Sequence, residues 1–115
     1  MSNQNIQTPE KLKTAKFIEA FTTNHVTLSP YESSTLSGRY GTEYKLIALN
    51  TDSVLSAAVY AYNGDNSVMN NINLNPDDSA ADIFQMNSKG QIKVFNWTNS
   101  KSQNPKVTFL LIALD

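Results

Sequence analysis

The apolar run at positions 107–114 limits the fold of this chain more than any other feature. It is short, rich in β-branched and aromatic side chains, and preceded by the breaker pair Asn104-Pro105, a pattern that predicts a strand rather than a helix. Both alternating sets of side chains are apolar: Val107, Phe109, Leu111 and Ala113 form one set, and Leu110, Ile112 and Leu114 the other. A strand covered on one face alternates with polar residues, so this strand must be covered on both.

The segments after Pro30 have the pattern of short strands separated by turns. Positions 43–49 and 55–62 show the alternation of strands, and the segment 63–66, Asn-Gly-Asp-Asn, is typical of a turn. Several short strands with regular turn signals predict an all-β domain, either a small β-sandwich or its jelly-roll variant. The residues expected in its core are Leu46, Ala57, Val59, Phe84, Ile92, Val94, Phe109 and Leu111.

A hairpin is predicted between positions 82–86 and 91–97. The loop at 87–90, Asn-Ser-Lys-Gly, ends in a glycine that can adopt the positive φ such loops require. We therefore expect the two flanking strands to pair with each other.

The N-terminal region differs from the rest, and we divide the chain into 1–25, an N-terminal arm or short helix, and 26–115, the β-sandwich domain. Residues 1–8 are polar and unpatterned, which is typical of an arm. Thr8 and Pro9 suit a helix start, and apolar residues recur at helical spacing through 9–21. The alternative is an extended arm that runs directly into the first strand.

Composition excludes several classes of protein. The chain has no cysteine, which excludes disulfides, thiolate chemistry and Cys-based zinc sites. Its start lacks the basic and apolar regions of a signal peptide, and no apolar run approaches the roughly 20 residues that a membrane helix needs. We expect a protein made in a cytoplasm, with no membrane partner.

No residue pattern indicates catalysis. The single histidine, His25, has no carboxylate near it in sequence and no nucleophile elbow to accompany it. The acidic loop at 75–82 offers oxygen ligands for calcium, but its spacing departs from the EF-hand pattern and also suits a capped turn. We predict no catalytic residue, no metal site and no cofactor, and therefore no enzyme.

A candidate glycan site comes from three asparagines that alternate along 71–75 and would share one face of a regular strand. Their amides donate and accept hydrogen bonds, as sugar hydroxyls require, and nearby aromatic side chains could supply a stacking surface. The simpler interpretation is an ordinary solvated strand face. The candidate glycan-binding residues are Tyr60, Tyr62, Asn71, Asn73, Asn75 and Trp97.

Basic and aromatic residues also alternate near the C-terminus, where Lys93, Phe95 and Trp97 share one side of a predicted strand. Such a pattern can hold single-stranded nucleic acid. Phosphate binding normally needs a concentrated basic field, and the formal net charge of this chain is −1. We therefore expect no nucleic-acid partner and assign these aromatic residues to the core or to an interface.

The second apolar set of the C-terminal run, Leu110, Ile112 and Leu114, needs a cover. Leaving three large aliphatic side chains in water would forgo burial worth roughly 1.5–3 kcal/mol each. A symmetric neighbour would present the same strip, so we predict a homo-oligomer, with a trimer favoured and these three residues at its interface. The competing explanation is that residues 9–21 cover the strip.

Together these features predict a non-enzymatic structural or assembly protein. The favoured identity is an accessory virion component of a bacteriophage, such as a capsid decoration, fibre-head or tail protein, located in the virion with neighbouring virion proteins as partners. The alternative is a carbohydrate-binding, lectin-like module. The two overlap, because a virion surface protein can bind host glycans.

Overall fold

The computed structural model describes residues 24–99 and 103–114, and this part of the chain forms eight strands and no helix. The predicted arm at 1–8 and the predicted helix at 9–21 lie outside the described residues. The strands are β1 (His25–Leu28), β2 (Ser33–Ser37), β3 (Glu43–Asn50), β4 (Ala57–Asn63), β5 (Asn66–Leu74), β6 (Ser79–Gln85), β7 (Gln91–Asn96) and β8 (Val107–Ala113). The first strand therefore begins one residue before the predicted domain boundary.

The eight strands form two four-stranded sheets. Sheet 1 has the order β1-β8-β3-β6, and sheet 2 has the order β2-β7-β4-β5. All neighbouring strands are antiparallel. The apolar C-terminal strand β8 lies inside sheet 1, between β1 and β3, where both of its edges are hydrogen-bonded.

The pairing shows that the chain is folded as one long hairpin wrapped into two layers. β4 pairs with β5 across the turn at Gly64, followed outward by β3 with β6, β2 with β7 and β1 with β8. Successive pairs alternate between the two sheets, and the β3–β8 and β4–β7 pairs complete each sheet. This is the strand order of a jelly roll, so the predicted all-β sandwich and its jelly-roll variant are confirmed.

Alternation along the strands places the core between the sheets. In β3, Tyr44, Leu46 and Ala48 are buried, whereas Lys45 and Ile47 between them are only partly buried. All the predicted core residues except Phe84 are buried, and Phe84 is partly buried against the same cluster.

The predicted pairing of positions 82–86 with 91–97 is wrong. β6 pairs with β3 in sheet 1, while β7 pairs with β2 and β4 in sheet 2, so the loop between them crosses from one sheet to the other. The turn chemistry itself is as expected: Gly90 has a φ of 70°, and its N–H donates to the Asn87 carbonyl at 3.0 Å. Turn residues determine the local reversal but not the sheet that each strand joins.

A buried amide fastens the two sheets together at one end. The Asn96 side chain of β7 is fully buried, and its Nδ2 donates to the carbonyl oxygens of Leu28 and Pro105, both at 2.9 Å. Its Oδ1 accepts from the Thr98 hydroxyl at 2.6 Å and from the Thr98 N–H at 3.2 Å. All four hydrogen-bonding positions of this amide are used, which is what burial of an asparagine requires.

A second buried asparagine holds the neighbouring loops. Asn50, at the end of β3, donates through Nδ2 to the carbonyls of Leu55 at 2.8 Å and Asn75 at 3.1 Å. Its Oδ1 accepts the N–H of Asp52 at 3.0 Å. The loops after β3 and β5 are therefore fixed to the sandwich by one side chain.

Candidate binding faces

The outer side of sheet 2 carries a continuous group of four rings, which we call the aromatic face: Tyr60, Tyr62, Phe95 and Trp97. Tyr60 of β4 lies directly opposite Phe95 of β7. Ala61 and Val94, the next residues along each strand, are fully buried in the core, so the rings point away from it.

The rings are close enough to act as one surface. The Tyr60 centroid lies 5.6 Å from Phe95, 5.8 Å from Tyr62 and 6.0 Å from Trp97. Phe95 lies 5.5 Å from Trp97, with the two rings nearly perpendicular. These separations are typical of favourable aromatic pairs. Trp97 remains 51% exposed, so the face has ring surface to offer a ligand.

The structure thus brings together Tyr60, Tyr62 and Trp97, the three aromatic members of the predicted glycan site. Sequence reasoning assigned Phe95 to the core or an interface, whereas it lies at the centre of this group. Alternation placed Phe95 and Trp97 on one side of their strand, but the pairing of β4 with β7 that adds the tyrosines is a long-range contact.

A lysine and a cavity lie at one end of the aromatic face. Lys93 is opposite Tyr62, and its Nζ is 5.5 Å from the Phe95 ring centroid, a cation–π contact. The cavity beside them has a volume of about 190 Å³. Its lining residues are Thr35, Tyr62, Gly64, Asp65, Asn87, Lys89, Gln91, Ile92 and Lys93.

The loop that forms part of this cavity is held in place by Asn87. Its Oδ1 accepts the N–H groups of Lys89 at 2.8 Å and Gly90 at 3.1 Å. Its Nδ2 donates to the Gln91 carbonyl at 2.8 Å and to Oδ1 of Asn63. The backbone that carries Lys89 is therefore fixed to the start of β7 and to the end of β4.

The predicted row of asparagines along 71–75 begins at a β-bulge. Two residues of β5, Asn70 and Asn71, lie opposite the single residue Tyr60 of β4. Asn71 has a φ of 50°, in the left-handed region that asparagine tolerates better than most residues. Beyond the bulge the alternation holds, with Ile72 and Leu74 packed with the core. Asn71, Asn73 and Asn75 are all exposed, as the predicted row requires.

The other two asparagines of the predicted row have different surroundings. Asn73 lies opposite Ala58, on the same side of sheet 2 as the aromatic face. Asn75 follows the end of β5, and its carbonyl accepts hydrogen bonds from Asn50 and from the Asp78 N–H. Asn73 is thus an exposed amide on the outer side of the sheet, whereas Asn75 belongs to a loop.

The outer side of sheet 1 is aliphatic, and we call it the aliphatic face: Ile47, Leu49, Ile83, Leu110 and Ile112. Ile47 lies opposite Leu110, at the centre of the sheet. Lys45 lies between Ile112 on one side and Ile83 on the other. The apolar side chains on the outer side of β8 thus have aliphatic neighbours on β3 and β6.

Exposure varies strongly across the aliphatic face. Leu110 has no exposed surface, although it is not part of the core cluster between the sheets. Ile112 is half-buried, while Ile83 is 58% and the adjoining Leu114 36% exposed. Leu110 is already covered within one chain, so only Ile112 and Leu114 of the three predicted interface residues have surface to offer a partner.

The histidine and the carboxylates of the described residues do not converge on one metal-binding position. His25 is exposed on the edge strand β1. Within residues 24–99 and 103–114, no three His, Asp or Glu side chains are placed to hold a metal ion. In the acidic loop, the Asp78 carboxylate accepts the Ser79 N–H at 2.8 Å, as in a capped turn. Hydrogen bonds from the N–H groups of Leu55 and Val54 hold the pKa of Asp52 below its usual value.

The described residues contain no helix with the length and hydropathy to cross a bilayer.

Comparisons with known proteins give structural likenesses only. No family model and no curated protein matches the chain. A de novo designed double-stranded β-helix, solved by NMR, is similar at a TM-score of 0.48 and 18% identity, covering 77% of this chain and 94% of the design. A chain from the structure of infectious bursal disease virus Gt strain is similar at a TM-score of 0.37 and 10% identity. That match covers 76% of this chain and 29% of the viral chain. The jelly-roll assignment rests on the strand order itself.

Proposed function

We propose that this chain is a non-enzymatic structural subunit that self-associates through the aliphatic face. The observation that carries this proposal is an aliphatic surface that spans β8, β3 and β6 on the side of sheet 1 away from the core. More than half of the Ile83 surface is exposed to water. Burial of a whole isoleucine side chain is worth roughly 1.5–3 kcal/mol. Exposed apolar side chains gathered on one face mark association sites, and here they surround Lys45, which lies between Ile83 and Ile112.

A second copy of the chain is the occupant that we propose for this face. Ile83, Ile112 and Leu114 supply its accessible surface, with Leu110 buried at its centre. Because each copy carries the same aliphatic face, a closed ring with rotational symmetry covers this face on every copy, and we favour a trimer. The competing occupant, residues 9–21 of the same chain, would leave the protein monomeric.

The proposed setting is a bacteriophage virion, in which the chain serves as a capsid decoration, fibre-head or tail protein alongside neighbouring virion proteins. Jelly rolls are common in viral capsid proteins and in lectins, and this support is an analogy at the level of the fold. The absence of cysteine and the abundance of Asn, Ser and Thr agree with an assembly protein made in a host cytoplasm.

The virion setting is tested by co-sedimentation of the purified chain with assembled capsids or tails of a candidate phage. We expect saturable binding to assembled particles and none to their unassembled subunits. Equal binding to both, or binding to neither, would contradict an accessory role in the virion.

The aromatic face favours a second candidate function, carbohydrate binding. Its four connected rings are partly open to solvent and adjoin the exposed amide side of β5, which suits a sugar with one apolar face and several hydroxyls. Screening the isolated protein against a glycan array tests this candidate. A signal that is lost in Trp97→Ala but kept in Tyr40→Ala, a more exposed aromatic residue in a turn, would support it.

A further inference from the structure

The aromatic face and the cavity beside Lys93 are joined through one side chain. Tyr62 lies 5.8 Å from Tyr60 and 6.1 Å from Phe95, centroid to centroid, and it also lines the cavity. A ligand that stacks on the rings therefore reaches the cavity without crossing a gap.

The cavity has a positive balance of charge. Lys89 and Lys93 both line it, against the single carboxylate of Asp65. Lys93 is carried by β7, which is hydrogen-bonded on both sides by β2 and β4, and the Lys89 backbone is held by Asn87. Two cations on fixed backbone beside one carboxylate favour an anionic group in the cavity.

The two parts of the site select different parts of a ligand. The ring surface favours a flat apolar face, and the Lys93 ammonium already makes a cation–π contact with Phe95 that keeps it beside the rings. Gln91 is among the polar residues that line the cavity. A sugar that bears a carboxylate combines an apolar face, hydroxyls and a negative charge in one unit.

Building on the proposed carbohydrate binding, we infer that this site takes an acidic oligosaccharide. One sugar ring stacks on the aromatic face, and a carboxylate enters the cavity beside Lys93 and Lys89. Lys93 determines the preference for charge, and the rings supply binding that neutral and acidic glycans share.

Single-stranded nucleic acid would also present flat rings and negative charge, but the charges fit it less well. Each nucleotide carries a phosphate, so binding requires a basic field along the whole strand. This chain has a formal net charge of −1, and the two lysines are gathered at one cavity. That arrangement suits one carboxylate better than a repeating phosphate backbone.

The test is a glycan array with pairs of oligosaccharides that differ only in whether a carboxylate is free or methyl-esterified, followed by titration of the best pair. We expect the free acid to bind about tenfold more tightly than its ester, the ratio expected of one charge-assisted hydrogen bond. Lys93→Gln should reduce this ratio to near one, because the variant loses affinity for the free acid more than for the ester. The matched control, Lys106→Gln, removes a lysine that hydrogen-bonds Ser29 and should leave the ratio as it is.

The failures are distinguishable. If glycans bind through Trp97 but free acids and esters bind equally, the inference of an acidic ligand is overturned while carbohydrate binding stands. If no glycan binds, both fail. If an oligothymidylate binds more tightly than every acidic glycan, and Lys93→Gln abolishes that binding, the site belongs to nucleic acid and the inference is overturned.

Discussion

The two outer faces of this sandwich both follow from the alternation of side chains along the strands, but they carry different side chains. In both sheets the residues that alternate with the core point outward, and the central strands carry most of them. Sheet 1 turns aliphatic groups such as Ile47 and Ile112 outward, whereas sheet 2 turns Tyr60 and Phe95 outward. An aliphatic side chain gains only by being covered, while a ring can also bind through its face. The self-association that we propose therefore belongs to sheet 1, and the proposed ligand binding to sheet 2.

Loss of the Asn96 amide should have the largest effect, because it removes the link on which both faces depend. In Asn96→Ala, the carbonyls of Leu28 and Pro105 lose their donor in a buried site. Each orphaned group costs about 1–3 kcal/mol, so we expect the free energy of unfolding to fall by roughly 2–4 kcal/mol. Denaturant unfolding measures this change. The control Asn99→Ala removes only an exposed hydrogen bond with Tyr31 and should cost less than about 0.5 kcal/mol.

A charge on the aliphatic face should separate the subunits without affecting ligand binding. In Ile112→Asp, a carboxylate replaces an apolar group at the proposed interface, and its burial there is unfavourable. We expect monomers, folded or partly folded, by light scattering after size-exclusion chromatography. The control Val54→Asp places the same charge at a 77% exposed loop position and should leave the oligomer intact. If Val54→Asp dissociates it as well, the interface lies elsewhere.

Removal of one ring from the aromatic face should weaken ligand binding without separating the subunits. Trp97→Ala takes away the most exposed part of the aromatic face, and we expect glycan affinity to fall about tenfold with the oligomer unchanged. Isothermal titration and light scattering on the same sample measure both quantities. A Trp97→Ala protein that no longer associates would show that the two faces are not independent.

Lowering the pH should have the smallest effect on the stability of the fold and should affect both faces equally. Hydrogen bonds from Leu55 and Val54 lower the pKa of Asp52 in the folded chain. Its contribution to stability is therefore present above the usual carboxyl pKa and is lost as the pH falls through the lowered folded value. Asp52→Asn should flatten this part of the pH–stability curve below about pH 4. An unchanged curve in thermal melts would exclude Asp52 as the cause.

Local patterns in the sequence were sufficient for the strands but not for their partners. Alternation in β3 and the two-sided apolar run of β8 are properties of single strands, and both appear in the structure as expected. The loop ending at Gly90 has the predicted turn geometry, yet its two strands join different sheets. That choice depends on pairs distant in sequence, such as β2 with β7, which no local pattern specifies.

The candidate glycan site was predicted in part for the same reason. Tyr60 and Tyr62 lie beside Phe95 and Trp97 because β4 pairs with β7, and the sequence named every one of these rings as a candidate except Phe95. The asparagine row begins at Asn71, where a bulge that the sequence did not indicate places Asn70 and Asn71 opposite the same residue. The sequence does not indicate where this bulge falls, because asparagines lie on both sides of Asn71.

The most direct test of the central claim is the native mass of the full-length chain across a wide range of concentration. If the aliphatic face joins subunits, the protein should have three times the mass of one chain, and Ile112→Asp should have the mass of one. A wild-type protein that remains monomeric at the highest concentration, with a folded sandwich, would contradict the account and favour cover of Ile112 from within the same chain.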